Sequence, residues 1–400
     1  MPFFQKTRTE RKKTAKVDKV IYLDYSATSP MKAEAVEAMQ MYFTEEAANP
    51  SGIYKSSQNA KKAMEQARCT IAESIGAEPS EIYFTSGGTE SDNWALRGIA
   101  DGIPNEKGHI ITTAIEHRAI LATCRQLERE GHRVTYLPTD RLGGVDPKTI
   151  RQAISSNTRL ISVMTANNEI GTVEPIEEIG AIAKESGVLF HTDAVQAYGR
   201  ILLDVKKCNI DLLSASAHKI GGPKGVGFLY VKRGIAIAPL LFGGGQERGM
   251  RSGTENIPGI VGFAKAVQMM QKERETENER LKELRDHMIS RVLNEIPGTI
   301  LTGDAKKRLC FHASFCMENA PGETVLYLLN SEGICASAGS ACSVGSGETS
   351  HVLAAIGVPY EKRNNALRFT LGNETTREDI DFTVDRLKII TQKVQKMNLR

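Results

Sequence analysis

The chain has 400 residues, 40% hydrophobic and 25% charged, a composition ordinary for a soluble globular protein and a length that predicts two domains. Its net charge is +3, from 51 basic and 48 acidic residues, which makes no general case for nucleic acid as a partner. The seven cysteines are odd in number and form no CxxC, which argues against a disulfide framework or structural zinc and for a reducing cytosol.

The opening stretch MPFFQKTRTERKKTAKVDK (1–19) is basic and lacks the apolar region of a signal peptide. Its composition predicts a disordered arm; a targeting segment or a contact with an acidic partner are the other readings. No apolar run is long enough to span a membrane, so a cytoplasmic protein is expected. Strand-like apolar runs then alternate with helical patterns. EIYFTSG (81–87), HIITTAIEH (109–117), RLISVMTANNEIG (159–171), VLFHTDAVQ (188–196) and IDLLSASAHK (210–219) each read as a strand running into a loop. Segments 56–76, 118–130 and 174–186 carry helix formers at helical spacing. Such alternation predicts a mainly parallel sheet covered by helices. Polar residues follow each strand, and ligands of such sheets bind at the carboxyl ends of the strands, so five polar clusters should meet at one site. From 264 to 296 the pattern predicts a long amphipathic helix, bridging to a smaller second domain. The expected division is 1–19 arm, 20–262 large domain, whose first residues could pack with the small one, and 263–400 small α/β domain.

The stretch SASAHKIGGPKGVGF (214–228) surrounds Lys219 with small residues. A lysine there could be a surface charge, a phosphate binder or a nucleophile toward a carbonyl; burial would depress its pKa as imine formation requires. Asp193 stands 26 residues upstream, at the end of the apolar strand GVLFHTDA. A carboxylate in that place needs a cationic partner or several donors. The protonated ring nitrogen of pyridoxal phosphate is such a partner, and an Asp that keeps it protonated makes the ring an electron sink. TSGGTESDN (85–93) is a glycine-rich turn before a helix expected to start near Glu90, suited to a phosphate at Gly88 and Thr89. Ser216 and His218 could add donors. His117, after another strand, suits either stacking on a pyridine ring or capping the next helix.

Together, YLDYSAT, SGGTESDN, EHRA, NNEIG, HTDAVQ, SAHKIGGPKG, GGGQERGMRSGT, SAGSACS and LRFTLG resemble the cysteine desulfurases. These are the NifS/IscS-type, class V members of the fold type I aminotransferases, and the resemblance covers residues 20 to about 390. It implies a pyridoxal 5'-phosphate enzyme of that fold, a large domain with a mainly parallel sheet and a smaller α/β C-terminal domain. It implies that Lys219 holds the cofactor covalently, that Asp193 pairs with the ring nitrogen and Gln196 with the phenolic oxygen, and that His117 stacks on the ring. Gly88, Thr89, Ser216 and His218 would bind the phosphate. Thr254 would reach the cofactor phosphate of the other subunit, which implies a homodimer. Asn168, beside the cofactor, and Arg368 would hold the substrate carboxylate, a task to which the guanidinium fork is matched. No metal is expected.

CASAGSACSVGSGETSHVL (335–353) sets Cys342 among Ser, Gly and Ala without bulky apolar neighbours. That context suits an exposed thiolate nucleophile. Cys335 lies seven residues away, at a strand end, and stays a second candidate. The resemblance implies that L-cysteine displaces Lys219 from the cofactor and that Lys219 removes the Cα proton. Cys342 would then take the sulfur as a persulfide, with proton transfer aided by His117, and L-alanine would leave. The sulfur would pass to an acceptor such as an iron–sulfur scaffold or a tRNA-thiolation protein. The loop has the long form found in one branch of the family, but Thr349 stands where many relatives have Pro, and the segment is richer in glycine. TSP at 28–30 replaces the usual TTP. An aminotransferase or lyase acting on another amino acid, and a non-catalytic sulfur-transfer scaffold, are the readings from other classes.

Overall fold

The computed structural model describes residues 19–102, 107–338 and 349–398. The basic arm, expected over 1–19, lies outside the described residues except for Lys19, whose ammonium contacts Asp379 at 2.6 Å.

Strand β1 (Ile21–Tyr22) belongs to a distant partner described below. The next seven strands are β2 (Ile82–Thr85), β3 (His109–Thr113), β4 (Arg133–Leu137), β5 (Thr158–Ser162), β6 (Leu189–Asp193), β7 (Leu212–Ser216) and β8 (Gly227–Val231). They form one sheet in the order β2-β8-β7-β6-β5-β3-β4. The contacts between β7, β6, β5, β3 and β4 are parallel, while β8 runs against both of its neighbours. Every residue of β3, β7 and β8 is buried. Cover on both faces of the sheet accounts for this. β4 and β8 were not among the expected strands. β4 alternates only weakly, from exposed Arg133 to buried Leu137, as an edge strand does.

The helices expected over 56–76, 118–130 and 174–186 are found at Lys55–Ser74, Arg118–Arg129 and Ile176–Glu185. The helix expected near Glu90 starts earlier, at Gly88. A Cβ on Gly88 would lie 2.5 Å from Val195 Cγ2, so glycine at the first helical position lets the turn pack closely against the segment that follows β6.

The helix Ile257–Glu295 runs 39 residues and begins seven positions before the expected start. The Asn256 side chain accepts from the Gly259 N–H, a cap that the pattern of apolar residues did not signal. Its first half buries Ile257, Ile260, Phe263 and Val267 in the core beneath the large sheet. Its second half buries Leu281, Leu284, Met288 and Val292 in another core. That second core also holds the strands β9 (Thr299–Leu301), β10 (His312–Met317) and β12 (Ala366–Thr370), an antiparallel sheet in the order β12-β10-β9. β1 pairs in parallel with β11 (Ile334–Cys335), which brings Ile21 and Leu23 into the same core.

Candidate active site

At the carboxyl ends of β2, β3, β5, β6 and β7 lies a cavity of about 340 Å³. Gly88, Thr89, His117, Asn168, Asp193, Gln196, Ser216, His218, Lys219 and Arg368 all line it. Thr254 does not; it is exposed, on a loop away from the cavity. Cys342 lies outside the described residues. Cys335 is half-buried at the end of β11, where burial pushes its thiol pKa up and the charge of Asp24 adds to the effect.

Lys219 sits on a short turn after β7. Its Nζ donates to the carbonyls of Ser26 and of Ala27, the latter at 2.9 Å. Those two carbonyls come from the YLDYSAT segment, and they hold the amine at the cavity wall. Ser29 Oγ in turn donates to the Lys219 carbonyl at 3.0 Å, so the segment grips the lysine residue at both ends.

Asp193 closes β6 with its carboxylate inside the cavity. Oδ1 accepts from the Val195 N–H at 2.9 Å. Burial raises its pKa; a proton on His117, the hydrogen bond from the Val195 N–H and the charge of Lys219 each work against that rise. His117 caps the helix Arg118–Arg129, its Nδ1 accepting from the Ala119 N–H at 3.2 Å. The proton of the neutral ring therefore sits on Nε2. Burial lowers the imidazole pKa, so the ring is favoured as a neutral group.

The Arg368 guanidinium is buried, donating from Nη1 to the Asn168 carbonyl and from Nη2 to Asp24 Oδ1, both at 2.9 Å. Gln196 Nε2 donates to the Ser26 carbonyl at 3.0 Å. His218 Nδ1 contacts Thr28 Oγ1 at 3.1 Å, and burial, with help from the charges of Lys219 and Lys224, pushes its pKa down to about 4.

Several lining residues were not singled out in the sequence. Asp92 is fully buried one turn into the helix Gly88–Ala100, with Oδ1 lacking a hydrogen-bond partner. Burial and the neighbouring Asp193 raise its pKa well above the usual carboxylate range. Glu169 lines the cavity and accepts from Ser350 Oγ at 2.5 Å. His351 lines it too, bonded through Nε2 to the Glu116 carbonyl at 2.9 Å. Asp92 and Glu169 stand inside motifs already quoted, SGGTESDN and NNEIG, but nothing local marks them as facing the same space as Lys219.

This set of groups fits pyridoxal phosphate. The helix Gly88–Ala100 directs the free N–H groups of its first turn toward the cavity, and Thr89 and Ser216 add hydroxyls, a cradle for phosphate. Asp193 and the unpartnered Asp92 oxygen supply buried acceptors for a protonated ring nitrogen, within 4.8 Å of His117. Lys219 supplies the amine.

The class-V aminotransferase family profile matches residues 21–382. The chain is 52% identical to a protein from Methanosarcina thermophila named cysteine desulfurase IscS, over 95% of this chain and 94% of that one. It is 50% identical to a protein of the same name from Clostridium botulinum, over 94% and 96%. A solved NifS-like protein superposes with a TM-score of 0.88 at 37% identity, covering 94% of this chain and all of that one. A structure described as SspA in complex with cysteine superposes at 0.79 with 38% identity, covering 88% and 98%. Both the matched profile and the full-length relatives place this chain in the class-V aminotransferase family, among its cysteine desulfurases.

Proposed function

We propose that this protein is a pyridoxal phosphate-dependent cysteine desulfurase that converts L-cysteine to L-alanine and carries the sulfur away on its own cysteine. The observation that carries the reading is the meeting of Lys219, Asp193 and the N-terminus of the helix Gly88–Ala100 in one cavity that Arg368 also lines. Bound there, pyridoxal phosphate supplies a sink for the electrons left on Cα when its proton is removed.

The residues do the rest. Arg368, oriented by Asp24 and the Asn168 carbonyl, binds the substrate carboxylate. Asn168 adds a polar contact beside it. Gly88, Thr89, Ser216 and His218 bind phosphate. Gln196 would hold the phenolic oxygen, and His117 would stack on the ring. Lys219 Nζ, once displaced by the substrate amine, takes the Cα proton. Asp193 holds the proton on the ring nitrogen as a carboxylate close by. The Cys342 thiolate attacks the substrate sulfur; an S–S bond forms as the C–S bond breaks, and that electron pair stays on the carbon side. A proton at Cβ, which the neutral His117 ring is placed to pass, and the return of the Cα proton from Lys219 complete alanine.

We further infer a homodimer in which Thr254 reaches the partner's cofactor phosphate. Phe242 is 84% exposed and Leu241 lies beside it on the same loop, apolar surface of the kind that covers itself at an interface. The chain divides within the helix Ile257–Glu295, whose halves serve separate cores. A sulfur acceptor such as an iron–sulfur scaffold or a tRNA-thiolation protein completes the cycle. The six described cysteines are free, in keeping with a cytoplasmic setting. Among the described residues no helix is long and apolar enough to cross a membrane.

The test uses purified protein and L-cysteine. Wild type should yield alanine and gain one sulfur on the peptide containing Cys342. Cys342→Ser should still change the cofactor spectrum on binding cysteine but release no alanine. Added sulfur on Cys335, or amine transfer to a keto acid without sulfur release, would replace this reading.

A further inference from the structure

The loop 243–254, GGGQERGMRSGT, carries Thr254 at its end and holds a buried charge near its centre. Glu247 is 5% exposed. Its carboxylate takes both arms of the Arg68 guanidinium, Nη1 and Nη2 donating at 2.7 Å to separate oxygens. Oε2 also accepts from the Phe84 N–H at 2.8 Å. Arg68 is itself buried, on the helix Lys55–Ser74, and lies over the Phe84 ring at 4.6 Å. Arg68 also pairs with Glu65 and donates to the Ile82 carbonyl, but separating it from Glu247 would leave that buried carboxylate without its cation, so the pair is a fixed point.

The backbone at that point is held against its preference. Glu247 has φ 45° and Arg248 φ 61°, two successive left-handed residues, neither of them glycine. Arg248 is pinned as well, its guanidinium 4.1 Å from the Tyr83 ring centroid and donating to the Ile82 carbonyl at 2.8 Å. Three residues on, Arg251 forks onto both oxygens of Glu90, at 2.8 and 3.0 Å. Glu90 also accepts from the Ser86 N–H. Ile82, Tyr83 and Phe84 lie on β2, Ser86 on the turn after it, Glu90 in the first turn of the helix Gly88–Ala100 and Arg68 on the helix Lys55–Ser74, so the anchors surround this chain's own phosphate cradle. The loop is thus tied to the cradle at Glu247, Arg248 and Arg251, and Thr254 is exposed three residues beyond the last tie.

We infer that Glu247, through its buried pair with Arg68, is a positioning residue that sets the place of Thr254 for the partner subunit's cofactor phosphate. The inference rests on the reading of Thr254 given above. It adds that the contact is made by a loop fixed before association, so a dimer forms without ordering the loop.

Four variants of the purified dimer test it: Thr254→Ala, Glu247→Gln, their combination, and Arg68→Met with Glu247→Leu. The measurement is the rate at which bound pyridoxal phosphate is released, alongside thermal unfolding and sedimentation. Thr254→Ala should speed release about tenfold, the loss of one hydrogen bond to a charged group. In the Glu247→Gln background the same change should add less than about twofold, because a residue already displaced has nothing left to lose. The apolar replacement of both partners restores packing without the ion pair. It should melt near wild type yet release cofactor as fast as Glu247→Gln does. Independent, multiplying effects of Glu247→Gln and Thr254→Ala would overturn the inference while leaving Thr254 in its role. Cofactor retention at the wild-type level in the apolar pair would overturn it too. If Thr254→Ala alone changes nothing, the role of Thr254 falls and the inference falls with it.

Discussion

At Asp193, burial and charge pull in opposite directions. Burial favours the neutral acid, while a proton on His117, the hydrogen bond from the Val195 N–H and the charge of Lys219 favour the anion. A protonated ring nitrogen would settle the contest for the anion, and the anion in turn keeps that nitrogen protonated. Asp193→Asn keeps the shape and loses the charge. Its expected cost is about 3 kcal/mol in the barrier to Cα deprotonation, about a hundredfold in kcat, the scale of one preorganised electrostatic contact. Steady-state alanine formation checks this; a wild-type rate in the Asn variant would remove Asp193 from the role. Lys219→Ala would remove both the covalent attachment and the base proposed for Lys219. It should abolish turnover, while cofactor can still enter through the phosphate and ring contacts. Alanine production within about tenfold of wild type, on the scale of a minor contributor to catalysis, would end the assignment of Lys219.

Among the elements, the parallel strands carry polar groups that stability must accommodate. His109 opens β3 with its ring fully buried, between Thr158 Oγ1 on β5 and Thr135 Oγ1 on β4, each at 2.8 Å. Burial, aided by the charge of Arg133, pushes its pKa from 6.5 down to about 4. Between those values the unfolded chain binds a proton that the folded chain refuses. The stability associated with the neutral ring is thus complete above pH 6.5 and is lost as pH falls toward 4. His109→Gln should reduce the acid-side slope of unfolding free energy by about 1.4 kcal/mol per pH unit in that window and leave stability at higher pH less affected. Denaturant unfolding across the window reads the slope directly. An unchanged slope would mean that another buried group, such as His191 between Ser162 and Ser214, carries the acid sensitivity.

For the molecule as a whole, the two cores and the helix that joins them decide where the site can be. Arg368 comes from β12 in the second core, and Asp193 and Lys219 come from the large sheet, so the cavity exists only while the two cores stay packed. Asp24 bridges onto Thr370 and joins Arg368 by an ion pair, both on β12, while the carbonyls of Ser26 and Ala27 accept from Lys219, so the N-terminal segment ties β12 to the large sheet. If Thr254 completes a neighbour's phosphate site, dilution that dissociates the dimer should release cofactor in step with dissociation. Sedimentation with absorbance detection would follow both together; an active, cofactor-loaded monomer would refute the shared site.

Much of this was legible in the linear chain, and the residues show why. The β3, β6 and β7 runs are almost wholly buried, with Ile, Leu, Phe and Ala among their polar residues, because both faces of a parallel sheet are covered, and that pattern is local. Gly88, His117, Asn168, Asp193 and Lys219 each follow or end a strand, and the rule that ligands meet strand carboxyl ends gathers them without coordinates. The sequence could not show the antiparallel β8, because strand direction is set by pairing over long separations. It could not show that Ser26 and Ala27 hold Lys219, since backbone carbonyls carry no residue signature. Asp92 and Glu247 are acidic letters on helical or glycine-rich stretches, indistinguishable from solvated charges until packing buries them. Local preference and periodicity are written along the chain. Desolvation, and the charge pairs it demands, arise only when distant segments close over a group and exclude water.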